Sequence, residues 1–126
     1  MKLEYLPDGS PECPLIRLYD FNRSEAQQSR QLVKSLVSGD RKQVALQNEI
    51  MWVEPVAGCC LDLRVGIGND GVRQEQPLRF ECVLTREGWS NVEGLLEPFS
   101  ESDSPGFQWL TSHGGTSLLI TANCQW

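Results

Sequence analysis

The chain has 126 residues, of which 40% are hydrophobic and 22% charged, and its formal net charge is -6. This length suits a single domain over residues 1–126, and the hydrophobic content excludes a disordered chain. No stretch approaches the roughly 18 apolar residues that span a membrane, and no signal-peptide core follows Met1, so we expect a soluble, cytoplasmic protein without a membrane partner.

Charge is distributed unevenly along the chain. Residues 87–126 contain five of the 17 acidic side chains and none of the 11 basic ones. Such an acidic region repels phosphate backbones, so no nucleic-acid partner is expected. Two interpretations stay open: the negative charge simply maintains solubility, or it forms an acidic docking face.

The first third of the chain predicts two strands and a helix. Residues 3–6 and 15–21 have β-type composition and flank a turn-rich segment. Asn22 and Glu25 have the spacing of a capping box, and apolar residues with helical spacing follow up to Gly39. We therefore predict a helix over residues 23–38.

The middle of the chain is typical of strands. Residues 43–56 predict one long or two short strands, which Pro55 ends or marks as an edge. Residues 59–67 alternate apolar and polar side chains, as a half-buried strand does, and residues 78–85 are interpreted as an antiparallel neighbour.

The last third predicts a short helix and a hairpin. Ser90 and Glu93 repeat the capping-box spacing and Pro98 closes the helix, while residues 107–111 and 116–126 flank a glycine-containing turn. The fold class is α+β, with two helices and a mostly antiparallel sheet. Residues 14–67 and 78–124 both follow the order strand, helix, strand, strand, which leaves open a duplication into two β-α-β-β units.

Motifs for a cofactor or a metal are weak. Residues 66–71 match G-x-G-x-x-G, but the polar, proline-ended segment that follows does not open a helix, so a hairpin loop is favoured. His113 is the single histidine, and with scattered cysteines it gives no paired ligand spacing. We therefore predict no cofactor, no metal site and no assigned catalytic residue.

The cysteines are interpreted as reduced and structural. They are odd in number and include no C-x-x-C pair, which is typical of a reducing compartment. They are Cys13, Cys59, Cys60, Cys82 and Cys124.

A ligand-binding site is predicted from residues distant in sequence, namely Cys13, Arg17, Asp62 and Arg64. Arg17 would favour a thiolate at Cys13, and Asp62 and Arg64 project from one strand face, where Arg17, Asp20 and Glu81 are able to join them. The alternative is a solvated polar face.

The C-terminal strand predicts an interface. It contains no Lys, Arg or Pro to protect a sheet edge, and it ends on a tryptophan. We expect a homodimer that uses Ile120, Cys124 and Trp126. The alternative is a strand held centrally in the monomer's own sheet, which explains the apolar face equally well. Trp89 and Trp109 are assigned to core packing instead.

The favoured function is a non-enzymatic intracellular binding or assembly protein with a protein partner. The alternative is a small-ligand-binding protein or enzyme with a pocket built from the sequence-distant polar residues. A closed cavity with convergent polar groups favours the alternative, and an exposed apolar patch favours the binding protein.

Overall fold

The computed structural model describes residues 1–8, 11–49, 51–101, 106–111 and 115–122. Within these ranges the chain forms two helices and nine strands, which confirms the predicted α+β class. The strands are β1 (Lys2–Leu6), β2 (Leu15–Tyr19), β3 (Gln43–Ala45), β4 (Glu54–Pro55), β5 (Cys60–Val65), β6 (Gly71–Gln76), β7 (Arg79–Leu84), β8 (Phe107–Thr111) and β9 (Ser117–Thr121). The helices are α1 (Arg23–Ser38) and α2 (Arg86–Glu101).

Helix α1 has the predicted bounds because both of its signals are local. The Asn22 side chain accepts a hydrogen bond from the Glu25 amide at 2.8 Å, and the Glu25 carboxylate accepts one from the Asn22 amide at 3.0 Å. Gly39 ends the helix with a φ of +85°, which a glycine adopts without strain. The capping box and the buried apolar stripe are thus both confirmed.

Helix α2 begins earlier and ends later than predicted. It starts at Arg86 rather than Ser90, because the Thr85 hydroxyl accepts a hydrogen bond from the Gly88 amide at 3.1 Å and so caps the first turn. Pro98 lies inside the helix instead of closing it. The hydrogen bond that its ring removes is the one to the carbonyl of Gly94, an exposed residue whose carbonyl water can reach.

The strands form two mixed sheets, whereas the sequence predicted one mostly antiparallel sheet. The first sheet has the order β4-β1-β2-β9-β8, and the second has the order β3-β5-β7-β6. In the first sheet β2 and β9 are parallel, and in the second β5 and β7 are parallel. Four other pairs, β1 with β2, β8 with β9, β3 with β5 and β6 with β7, are antiparallel, and the two-residue edge strand β4 is parallel to β1.

The glycine-rich segment at residues 66–71 does not form the predicted hairpin. It leads from β5 into β6, and β7 lies between these two strands in the sheet. Residues 79–84 are therefore parallel to β5, with Leu63 opposite Cys82. Strand β6 was overlooked because most of its side chains are polar, which an exposed edge strand tolerates.

The two sheets contain the duplication that the sequence left open. One unit is β2-α1-β3-β5 and the other is β7-α2-β8-β9, and each is preceded by an antiparallel strand, β1 or β6. The last strand of each unit pairs in parallel with the first strand of the other, β9 with β2 and β5 with β7. Two β-α-β-β units thus exchange their C-terminal hairpins.

The core joins both helices to both sheets. The rings of Tyr5 and Phe80, one from each sheet, lie 4.5 Å apart between centroids. The Trp89 indole on α2 is almost fully buried and donates a hydrogen bond to the Arg64 carbonyl at 2.9 Å. Neither helix in the described ranges is long and apolar enough to cross a membrane.

One connection between strands is much longer in the first unit than in the second. Residues 46–59 connect β3 to β5, whereas only residues 112–116 connect the corresponding strands β8 and β9. We call residues 46–59 the insertion. It contains 3-10 turns at Leu46–Asn48 and Val56–Gly58, and its strand β4 pairs with β1. The insertion is thus attached to the first sheet.

Candidate functional site

A groove of about 700 Å³ lies between α1, the insertion and the end of α2. We call it the α1 groove. Its α1 wall consists mainly of exposed polar side chains, including Gln27, Gln28 and Gln31. The insertion contributes Glu49 and Trp52. Ser100 and Glu101 close the groove at the end of α2.

A smaller hollow of about 360 Å³ adjoins this groove at Trp52, which lines both. Trp52 is half-buried and packs against the hydrophobic core. Met51 lines the smaller hollow and is 92% exposed. Two large apolar side chains thus follow each other in the chain at the protein surface. Trp52 is held by packing against the core, whereas Met51 is exposed to solvent.

The floor of the α1 groove is held by hydrogen bonds between the two helices. The Gln27 amide nitrogen donates to the Ser100 carbonyl at 2.9 Å, and Arg30 donates to the Glu93 carboxylate at 2.6 Å and to the Ser100 hydroxyl at 3.2 Å. The hydrogen bond to Glu93 raises the pKa of the Arg30 guanidinium. Arg30 therefore stays charged and fixed, and it does not act as a proton donor.

The backbone of the insertion fixes Trp52 as well. The Trp52 amide donates to the Glu49 carbonyl at 3.1 Å, and the Trp52 carbonyl accepts a hydrogen bond from the Met1 amino group at 2.9 Å. A side chain that is already ordered loses little conformational entropy when a partner binds. These hydrogen bonds fix the Trp52 backbone, and packing against the core orders its side chain, so Trp52 is preorganised for contact.

Two of the predicted ligand-binding residues lie at the first sheet. Arg17, on β2, pairs with the Glu4 carboxylate at 2.6 Å and stacks over the Tyr19 ring at 4.1 Å. The Cys13 thiol donates a weak hydrogen bond to the Asp8 carbonyl at 3.4 Å. Because Glu4 already engages the Arg17 guanidinium, the charge proposed to favour a Cys13 thiolate is compensated.

The other two lie on the second sheet. Asp62 accepts a hydrogen bond from Gln47 at 2.9 Å, and Arg64 pairs with Glu81 at 2.7 Å. Burial alone would raise the pKa of Glu81, but Arg64 and the neighbouring Arg73 outweigh it, so this pKa is lowered. The four predicted residues are thus distributed over two sheets and do not form one site. Asp62 and Arg64 belong to a half-exposed row of paired polar side chains on the second sheet.

Of the three predicted interface residues, Ile120 alone lies within the described part of the chain. Ile120 is fully buried in the core, and its strand β9 lies between β2 and β8. The open-edge argument for a homodimer therefore does not apply to residues 117–121. Cys124 and Trp126 lie outside the described residues, as does His113. The homodimer itself stays a prediction.

The glycine-rich loop lies against the start of α2 without forming a phosphate cradle. The Asn69 side-chain oxygen accepts hydrogen bonds from the Thr85 amide at 3.0 Å and the Thr85 hydroxyl at 3.1 Å. Thr85 in turn accepts from the Gly88 amide. The backbone amides of Thr85 and Gly88, which a phosphate at this helix start would use, are therefore already occupied.

No protein-family model, curated protein or solved structure matches the chain. Function is therefore argued from the residues of the groove. Sequence reasoning missed this site, although three glutamines on the outer face of α1 and the adjacent Met51 and Trp52 were visible signals. A polar helix face looks the same in sequence whether it meets water or a partner.

Proposed function

We propose that the protein is a non-enzymatic binding or assembly protein of the cytosol that contacts a protein partner through the α1 groove. The observation that carries this proposal is the pair Met51 and Trp52 at the edge of an open, hydrogen-bonded groove. Tryptophan supplies much of the binding energy at protein interfaces, and methionine adapts to varied apolar surfaces.

An enzymatic role has less support from the described residues. Catalysis generally needs a site that excludes water and holds an acid or base within reach of the substrate. The α1 groove is open to solvent, and its Arg30 is held by Glu93. An enclosed void in the core measures only about 20 Å³ and has mainly apolar walls, so it suits no substrate.

A nucleic acid is a poor partner for this groove. Glu49 and Glu101 line it, and Glu97 lies within 3.7 Å of Arg30. Carboxylates in these positions repel phosphates, and Arg30 is compensated by Glu93, Glu97 and Glu101. We therefore expect a protein as the partner.

Site-specific photo-crosslinking in the native cell tests the proposal. A benzophenone amino acid is placed at Gln28 or Gln31 in the groove, or at the exposed Gln74 of β6 as the control position. We expect a discrete crosslinked protein from the groove positions and none from position 74. The absence of adducts, or equal adducts from all three positions, would overturn the proposed function.

Self-association is a separate proposal, which we retain from the sequence but assign to another surface. In the first sheet β8 is an outer strand, and in the second β6 is one. Both outer strands contain a register shift, so pairing with a second copy uses the regular run before the shift, residues 71–74 of β6 or 107–109 of β8. Analytical ultracentrifugation at micromolar concentration distinguishes a dimer from a monomer, and a monomer would remove this proposal.

A further inference from the structure

The α1 groove is built by the segment that breaks the internal duplication. The insertion at residues 46–59 supplies Glu49 and Trp52 to the groove, and the short connection at residues 112–116 is its only counterpart in chain order. Long surface loops on a rigid scaffold often carry binding residues. The insertion therefore identifies which side of the duplicated fold is specialised for contact.

The charge around Trp52 is mainly negative. Glu49 and Glu101 line the α1 groove, and three further carboxylates line the smaller hollow. These three are Asp20, Glu25 and Glu54. The basic groups of the two linings are the side chains of Arg30 and Lys2 and the Met1 amino group. Acids outnumber bases even when all three are counted.

The basic groups are also already paired. Arg30 lies 2.6 Å from Glu93, Lys2 lies 3.5 Å from Asp20, and the Met1 amino group lies 2.8 Å from Glu25. Glu101 shares Arg30 with Glu93 and Glu97, at the longer distance of 3.9 Å. Glu49 lines the groove and belongs to none of the ion pairs found among the described residues. The unmatched charge that a partner meets is therefore negative.

The remaining chemistry of the groove suits an extended basic segment. The indole of Trp52 is the best aromatic face for a guanidinium or ammonium group, and an exposed methionine packs against an alkyl stem. Gln28 and Gln31 each offer amide donors and an acceptor, which match the groups of a peptide backbone, whereas the Gln27 amide nitrogen already donates to the Ser100 carbonyl.

From this combination, and resting on the proposed function, we infer that the partner of the α1 groove presents an arginine- or lysine-bearing peptide segment. Its cations pair with Glu49 and Glu101 and lie against the Trp52 ring. A second copy of this chain is disfavoured as the occupant, because two acidic surfaces of a chain with net charge -6 repel each other.

Fluorescence polarisation with two labelled peptides tests the inference on the full chain. One probe alternates arginine with glycine, and the other alternates glutamate with glycine. We expect the arginine probe to bind and the glutamate probe not to bind. Binding should weaken as ionic strength rises from about 0.05 to about 0.5 M, because exposed ion pairs are screened.

Matched variants locate the contact. The double variant Glu49→Gln with Glu101→Gln removes two negative charges from the groove, and Glu12→Gln with Glu87→Gln removes two exposed charges elsewhere. We expect the arginine probe to bind roughly tenfold more weakly to the first variant, and within about twofold of the parent to the second.

A ring substitution tests the stacking contact separately from charge. Trp52→Leu keeps an apolar side chain but removes the aromatic face, and should weaken binding about fivefold. Phe107→Leu is the control, since Phe107 is 52% exposed on β8 and lines neither hollow. Thermal unfolding of each variant verifies that it folds, and the salt dependence of the parent supports the charge argument without any variant.

Equal losses in both double variants, binding of the glutamate probe, or no binding of either probe would each overturn the basic-segment inference. The proposed function fails on different evidence, namely the absence of groove-specific crosslinks. A groove that crosslinks a protein but rejects the arginine probe would therefore refute the partner class and leave the binding role standing.

Discussion

Burial sets the chemistry of two cysteines. Cys59 and Cys82 are fully buried, and burial raises the pKa of each thiol from 9.0 to about 12. A protonated thiol is uncharged and suits an apolar site, whereas the thiolate is the reactive form. The structure therefore keeps both residues inert, in agreement with their sequence interpretation as structural thiols.

We expect alkylating reagents to label the half-buried Cys60 in the native protein and to reach Cys59 and Cys82 only on unfolding. Tandem mass spectrometry that locates the label on individual residues reads this difference, since Cys59 and Cys60 are adjacent and fall in the same peptide. Because the two folded-state pKa values are raised, their stabilising contribution is complete below pH 9 and declines as pH rises towards 12. The loss is at most about 1.4 kcal/mol per pH unit for each thiol. Fast native labelling of Cys82 would contradict this expectation.

The carboxylate of Glu81 gives the opposite pH dependence. Its pKa is lowered, so the stability it contributes is present at neutral pH and is lost as pH falls through its folded-state pKa. We expect Glu81→Gln to cost roughly 1 kcal/mol at pH 7, since Glu81 pairs with both Arg64 and Arg73. Urea unfolding should show parent and variant converging in acid. A constant difference at all pH values would show that packing, not charge, is responsible.

The sequence predicts which face of a strand a side chain lies on better than it predicts which other side chains it contacts. Alternation correctly placed Asp62 and Arg64 on one strand face, and Glu81 does join Arg64 from the neighbouring strand. Arg17 lies on the other sheet with Glu4. A strand pattern reveals which side chains share a face, but not which sheet the strand enters.

Replacement by alanine is expected to change protein stability in opposite directions at two glycines of α2. A Cβ on Gly94 meets nothing within 4 Å, whereas one on Gly88 lies 2.5 Å from the Asn69 side-chain oxygen and 3.1 Å from Leu84. We expect Gly94→Ala to stabilise the protein by about 0.5–1 kcal/mol through helix propensity. Gly88→Ala should destabilise it by about 1 kcal/mol, because Asn69 must release Thr85.

Chemical denaturation of both glycine variants measures the two changes on one helix. The comparison isolates the contacts of position 88 with Asn69 and Leu84, since the residue change is the same at both positions. Stabilisation by Gly88→Ala would mean that Asn69 moves aside without loss.

The caps also explain why α1 was predicted correctly and the start of α2 was not. The cap of α1 comes from Asn22 and Glu25, whose spacing matches a capping box in the sequence. The start of α2 is capped by Thr85, which accepts a hydrogen bond from the Gly88 amide and is itself held by Asn69 from the loop before β6. Position 88 is a glycine, which has no side chain to complete a capping box, so the spacing rule selected Ser90 and Glu93 instead.

At the scale of the whole molecule, strand order depended on contacts that no local pattern records. The sequence indicated the duplicated order of elements, but it did not predict that hairpins are exchanged between the units. Adjacent β-type segments favour a hairpin, so residues 59–67 and 78–85 were expected to be antiparallel. The interposed strand β6 returns the chain to the start of the sheet and makes β5 and β7 parallel.

The exchange makes each half of the chain incomplete. Strand β2 has its parallel partner β9 in the second half, and β7 has its partner β5 in the first. We therefore expect the fragments 1–67 and 68–126 each to be largely unfolded alone and to form the native sheets when mixed. The cut follows Ile67, which is fully exposed, so it disturbs little of the core.

Far-UV circular dichroism of the separate and mixed fragments measures this complementation, with the intact chain as reference. Neither isolated fragment can bury the apolar faces that the other covers, and that burial is the main favourable contribution to folding. A fragment that folds as a monomer would contradict the exchange and indicate two independent domains. A fragment that folds only by pairing with itself would show twice its mass in ultracentrifugation, and it would support the exchange, because two identical units would then supply each other's hairpins.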